Sequence, residues 1–232
     1  MKVEIWSDVV CPFCYVGKRK FENALEQFGH QGEVQVEWKS FQLTPDFVPV
    51  PGESIHASLA KKKGVSEAEG RRMGDQMTLI AKEVGLNYDF DKTIPANTFL
   101  AHQLIHFADH QGQQGAMKER LFAAYYLEGQ DINTVDNLVK LAAEIGLEAD
   151  AARQALEAGT YANEVRRDEY EAQQIGVRGV PFFVFDDKYA VSGAQPSEVF
   201  AEVLGKVWEE AHPKAQPTML ADGPACGPDG CD

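Results

Sequence analysis

The stretch Val3-Glu4-Ile5-Trp6-Ser7-Asp8-Val9-Val10-Cys11-Pro12-Phe13-Cys14 decides the fold. Its apolar start, Val3 to Trp6, reads as a buried strand, and Pro12 suits the first turn of a helix, where the missing N–H costs nothing. Two thiols then sit at a strand-to-helix turn. Cys11 heads the helix, where unpaired amide N–H groups and the macrodipole favour negative charge. Its pKa is therefore expected to fall from about 8.5 into a range of roughly 3.5–7.5. Cys14, one turn on, points inward and can attack a mixed disulfide held on Cys11. The chemistry implied is dithiol–disulfide exchange. Two cysteines three apart are also half of a zinc site, which Cys226 and Cys231 could complete. The Pro–Phe insert and the strand directly before the pair fit redox chemistry better.

Composition narrows the classes. A chain of 232 residues with 44% hydrophobic and 25% charged residues can bury a substantial core without staples, which excludes disordered and fibrous proteins. A net charge of −14 opposes binding to nucleic acid and to anionic membranes. No apolar run approaches the roughly 20 residues that span a bilayer, and Met1-Lys2 leads into a strand with no signal-peptide core. A cytoplasmic location is expected, where thiol pairs are more often catalytic, sensing or metal-binding than structural.

Outward from the cysteines, Tyr15 to Phe28 reads as an amphipathic helix with Phe21, Leu25 and Phe28 on one face. Val34 to Leu43 alternates Val34, Val36 and Trp38 against Gln35, Glu37 and Lys39, the period of a strand with one buried face. Pro45, Pro49 and Pro51 then mark an exit. From Ser54 to about Gly176 the signals are helical, with Ser66 and Glu69 as a capping box and Asn97 and Thr134 as caps. Strand character returns at Pro181 to Phe185 and at Tyr189 to Ser192, around an Asp186-Asp187-Lys188 turn. Pro196 and Ser197 open a last helix. The predicted fold is α/β, with residues 1–45 and 160–212 sharing one sheet, an all-helical insertion at 50–160, and a flexible cysteine-bearing tail at 213–232.

With Cys11-Pro12-Phe13-Cys14 after the first strand and Gly179-Val180-Pro181-Phe182-Phe183 opening the hairpin, the chain resembles thioredoxin-fold proteins of the DsbA superfamily. Trp6-Ser7-Asp8, Tyr15-Val16-Gly17-Lys18 and the Cys226-to-Cys231 tail are most similar to its FrnE-like cytoplasmic branch. The resemblance implies a thiol–disulfide oxidoreductase of reductase or isomerase type. Cys11 would attack, Cys14 would resolve, and Pro181 would be a cis proline facing them. Val180 would then pair through its main chain with an extended substrate, flanked by Phe13 and Phe182. Partners would be protein thiols and disulfides or unfolded chains. No cofactor is implied beyond the redox-active disulfide, with glutathione as a possible co-substrate. Phe13 departs from the Pro–His insert of the secreted oxidases, so strong oxidising power does not carry over.

Other residues carry competing readings. Asp8 could relay a proton for the inner thiol or cap the turn. Phe13, Tyr15 and Phe182 could form an apolar surface for unfolded chains or belong to the core. His102, His106 and His110 recur on one helix face at a spacing that invites a metal, without an accompanying carboxylate–His motif. Cys226 and Cys231, in a Gly- and Pro-rich loop, could act as a second redox pair exchanging with Cys11 and Cys14. Rival functions are a glutathione-dependent transferase or isomerase of the kappa-class kind, against which the intact cysteine pair argues, and a zinc-holding or chaperone-like binding protein.

Overall fold

The computed structural model describes residues 1–213, together with the backbone of two short strands at 226–227 and 230–231. Strand β1 (Lys2–Ser7) runs into helix α1 (Pro12–Gln27) and strand β2 (Gln35–Ser40). Seven helices follow: α2 (Ile55–Lys63), α3 (Glu67–Lys82), α4 (Phe99–Asp109), α5 (Gln114–Tyr126), α6 (Val135–Glu144), α7 (Ala149–Glu157) and α8 (Ala162–Gln174). The chain then closes with β3 (Phe182–Phe185), β4 (Tyr189–Ser192) and α9 (Ser197–Ala211). The sheet order is β2-β1-β3-β4, with β1 parallel to β2 and the other pairs antiparallel. The first and last parts of the chain thus share one thioredoxin-like sheet, and only helices lie between them among the described residues.

Aromatic packing fixes one face of that sheet. Phe21 of α1 meets Phe183 of β3 and Phe200 of α9, each with ring centroids 5.7 Å apart. On the other face, Trp6, Ala172, Val177 and Phe182 form a smaller cluster under α8. Strand β2 is an edge, and Gln114 at the start of α5 covers it: its side chain accepts from Trp38 N–H at 2.8 Å and donates to Trp38 C=O at 3.0 Å. This satisfies an edge that would otherwise template pairing with another chain.

Strand β2 differs from its sequence reading in two ways. It stops at Ser40 rather than Leu43, because the Leu43 N–H is taken by the Asp8 carboxylate at 2.8 Å. Lys39, expected on a solvated face, is buried because α8 lies there. Its ammonium sits 2.9 Å from Glu37, 3.2 Å from Glu171 and 3.4 Å from Asp168.

The serine and threonine caps follow the sequence, whereas Thr98 holds the cap position of α4 and Asn97 acts from one residue before it. Ser66 accepts from Glu69 N–H at 3.2 Å, Thr134 from Asn137 N–H at 3.3 Å, and Asn97 from Phe99 N–H at 2.9 Å. The expected capping box is half made, since the Glu69 carboxylate pairs with Arg72. At the hairpin, Asp186 and Asp187 take φ of 45° and 56°, a left-handed conformation that Asp tolerates better than bulkier residues. Strands β5 (Cys226–Gly227) and β6 (Gly230–Cys231) place Cys226 and Cys231 opposite each other in backbone register. Their sulfurs lie outside the described residues, as does the expected flexibility of the tail.

Candidate active site

Asp8 C=O accepts from Cys11 N–H at 3.2 Å, which turns the chain out of β1 and leaves Cys11 as the cap of α1, in extended conformation. Pro12 takes the first helical position, and Cys14 N–H donates to Cys11 C=O at 3.0 Å. Both cysteines are unbonded thiols, 4% and 1% exposed, so the outer sulfur is the one a substrate can approach.

The end of the chain meets them. The Val180–Pro181 peptide bond is cis, and the Cys11 Sγ–H donates to Val180 C=O at 3.3 Å. Among the described residues, the Val180 N–H makes no hydrogen bond, so that group remains available to an extended peptide. Pro181 in turn rests on α1: a Cβ built on Gly17 would lie 2.9 Å from Pro181 Cγ. Gly17→Ala should gain up to about 1 kcal/mol of helix propensity and lose roughly 1–3 kcal/mol to overpacking. We expect a net destabilisation of about 1 kcal/mol in urea unfolding, accompanied by slower exchange as Val180 is displaced from Cys11. A Gly17→Ala protein as stable and as active as the wild type would show that the loop simply yields.

The electrostatics correct one expectation. The helix end does not hold Cys11 down. The side-chain interaction of the Cys11 thiol with Cys14, burial, and the charge on Cys14 push its pKa well above the ordinary thiol value. The Asp8 charge adds to this, and only the Cys14 backbone N–H pulls the other way. Donation of the thiol proton to Val180 C=O favours the same neutral form.

Asp8 itself is fully buried, and its side chain does not cap the turn. One carboxylate oxygen accepts from Leu43 N–H, and the other lies 3.3 Å from His102 Nε2. Although burial opposes ionisation, the hydrogen bond and charge of His102, with donors from Leu43 and Thr98, lower the Asp8 pKa. His106 pairs with Ser40 and Asp168, each at 3.0 Å, and His110 lies 3.3 Å from Glu164. His106 Nδ1 also lies 3.4 Å from the same Glu164 oxygen, so His106 and His110 share that carboxylate while His102 faces Asp8, and no group of three ligating side chains gathers among the described residues.

One group beside the cysteines carried no sequence signal. Lys118 of α5 is 1% exposed, and among the described residues it has no carboxylate partner. Its ammonium donates to Ser7 C=O at 3.3 Å and lies over the rings of Phe122 and Trp38, at 5.0 and 5.5 Å from their centroids. Burial lowers its pKa to about 8, against the opposing charges of Cys14, Asp8 and Cys11. A buried lysine reads in sequence like any surface lysine of an amphipathic helix. Only the docking of α5 on β1 and β2 reveals it.

The aromatic residues divide. Phe13 is 45% exposed beside Cys11, whereas Tyr15 is buried, stacked on Phe122 at 4.8 Å and donating to Glu119 at 2.6 Å. Phe182 packs with Trp6 and Val177 on the far face of the sheet, because strand alternation sends Phe183 and not Phe182 toward α1. Of the three aromatics left open between surface and core, Phe13 is the one presented.

Comparison with known proteins places this geometry. A family model described as a DSBA-like thioredoxin domain matches residues 2–205. The Bacillus subtilis (strain 168) protein YwbO is 30% identical over 205 residues, covering 87% of this chain and 94% of that protein. The crystal structure of a probable DsbA oxidoreductase from Streptomyces coelicolor is 40% identical with a TM-score of 0.84, covering 100% of this chain and 98% of that one. The cytosolic disulfide reductase DsbM from Pseudomonas aeruginosa, solved with GSH, shares the fold at 18% identity and a TM-score of 0.65, over 90% of this chain and 100% of that one.

Proposed function

Because the chain belongs to the DSBA-like thioredoxin domain family, we propose that it catalyses dithiol–disulfide exchange on protein substrates through Cys11 and Cys14, working toward reduction or isomerisation. The observation that carries this reading is the 3.3 Å contact between Cys11 Sγ and the carbonyl of Val180 at the cis Val180–Pro181 bond. A substrate strand laid on Val180 would bring its own sulfur to Cys11. Cys11 attacks, a mixed disulfide forms, and Cys14 displaces the substrate from below.

The direction follows from the thiol electrostatics. A disulfide is strongly oxidising when its reduced form is stabilised as a thiolate. Here burial and the contact of the Cys11 Sγ–H with Val180 C=O favour the neutral thiol at Cys11, which supports a pair that gives electrons readily. Glutathione is the co-substrate we assign to its recovery. A cytoplasmic setting, which the cytosolic reductase of the same fold favours, would supply it. Cys226 and Cys231 remain in this scheme as a second exchanging pair.

Titration of Cys11–Cys14 in glutathione buffers, read by alkylation and mass, tests the scheme with and without Cys226→Ser/Cys231→Ser. The expected potential lies toward the thioredoxin end, about −270 mV, rather than the roughly −120 mV of the strong oxidants. A value near the oxidising end would refute the reductive direction. Glutathione conjugation without insulin reduction would favour the kappa-class rival instead.

A further inference from the structure

Cys11 has a second neighbourhood, on which Val180 and Pro181 do not border. A cavity of about 570 Å³ opens beside Cys11 and Phe13 and runs between the turn at the head of α1 and the paired helices α2 and α3. Met73, Met77 and Ile80, one face of α3, line it together with Leu59 of α2. Helices α2 and α3 are locked to each other: a Cβ on Gly70 would lie 2.5 Å from His56 C=O, so this wall is built rather than loosely packed. Tyr126 also lines it, 1% exposed, and among the described residues its hydroxyl has no hydrogen-bond partner. A buried hydroxyl left without a partner destabilises the fold, and a ligand acceptor would supply the missing partner. Lys62 and Lys63 stand on the α2 side, in a chain whose net charge is −14. The volume exceeds what one amino-acid side chain fills and falls within the range of about 300–1,000 Å³ that holds small molecules.

We propose that this cavity binds a low-molecular-weight disulfide whose one half is a bulky apolar group bearing a carboxylate, and presents its sulfur to Cys11. The proposal rests on the exchange reading above and names a substrate class for it. The Cys11 thiol loses its proton and attacks the near sulfur of R–S–S–R′, forming Cys11–S–S–R and releasing R′–S⁻, which takes up a proton. Cys14 then loses its proton and attacks the Cys11 sulfur, forming the Cys11–Cys14 disulfide and releasing R–S⁻, which is protonated in turn. Two electrons and two protons pass from the dithiol to the ligand. A protein substrate on Val180 and a small disulfide in the cavity would reach the same sulfur from different sides.

The test is single-turnover oxidation of the reduced full-length protein by four disulfides: 5,5′-dithiobis(2-nitrobenzoate), 4,4′-dithiodipyridine, bis(2-hydroxyethyl) disulfide and insulin. Formation of the Cys11–Cys14 bond is followed by acid quench and peptide mapping, so the tail thiols do not contribute. Met77→Trp fills the cavity and should slow both aromatic disulfides about tenfold or more, leaving insulin and the hydroxyethyl compound within about twofold. Leu59→Phe serves as an independent filling variant should Met77→Trp unfold. Lys62→Ala/Lys63→Ala should slow the anionic reagent alone, by roughly threefold. Tyr126→Phe, which loses no hydrogen bond among the described residues, should weaken inhibition by 2-naphthoate several-fold without loss of stability. Unchanged rates in both filled variants, or failure of naphthoate to compete, would overturn the proposal. Insulin slowed in step with the aromatic reagents would overturn it in favour of a peptide subsite. If no disulfide oxidises Cys11–Cys14 in the wild type, the exchange reading itself fails.

Discussion

Cys14→Ser is expected to turn the protein into a trap that accumulates a stable mixed disulfide with its substrate, while Cys11→Ser accumulates none. The asymmetry follows from burial and direction. Cys11 borders both the cis-proline loop and the cavity, whereas Cys14 is 1% exposed beneath it, on the inner side of α1. In the proposed scheme Cys11 takes the first step and Cys14 resolves it. Either substitution should lower turnover on the order of 10³-fold or more, because each removes a covalent step rather than a contact. The two variants differ in what they leave behind. After mixing with oxidised insulin, a non-reducing gel and intact mass should show an adduct with Cys14→Ser alone. An adduct of equal yield on Cys11→Ser would reverse the assigned roles.

The parts of this arrangement that were legible in the sequence are those governed by local chemistry. Val3 to Trp6 as a strand, Pro12 at the helix start, the serine and threonine caps, and the aspartate-rich hairpin turn each depend on residues within a few positions of one another. The meeting of Cys11 with Val180 is not local. It was legible only through the resemblance carried by two separated motifs, since no spacing rule joins positions 169 residues apart. What was not legible depends on which helix covers which face. Periodicity assigned Lys39 to solvent, and α8 buried it. It left Phe182 and Tyr15 open between surface and core, and the pleat and α5 withdrew both. The Cys11 expectation failed for a related reason. A helix N-terminus is a feature of the sequence, but the carbonyl of Val180 and the neighbouring thiol that favour the neutral form arrive from the tertiary fold.

Lys118→Met should make the protein more stable and Cys11 less acidic. In the wild type the ammonium is held in an apolar site between Phe122 and Trp38, among described residues that offer it one carbonyl and no carboxylate. Burial takes its pKa from 10.5 to about 8. At 1.36 kcal/mol per pKa unit, the native state carries a penalty of roughly 3 kcal/mol when the group is charged. Because the folded value lies below the unfolded one, the unfolded chain holds more protons between about pH 8 and 10.5. Wild-type stability therefore rises with pH across that window, and the penalty is present in full below it. Methionine fills a similar volume, packs well against the same rings and carries no charge. The variant should gain up to about 3 kcal/mol in urea unfolding at pH 7, with the advantage shrinking toward pH 10.5. A gain that is absent at pH 7, or independent of pH, would contradict the buried-ammonium picture. The same charge lies near Cys11, so its loss should move the pH profile of Cys11 alkylation upward. A lysine that costs the fold this much yet steadies thiolate charge beside it accounts for both effects with one group. If stability rises and the alkylation profile stays where it was, the lysine is a packing defect and the thiols owe it nothing.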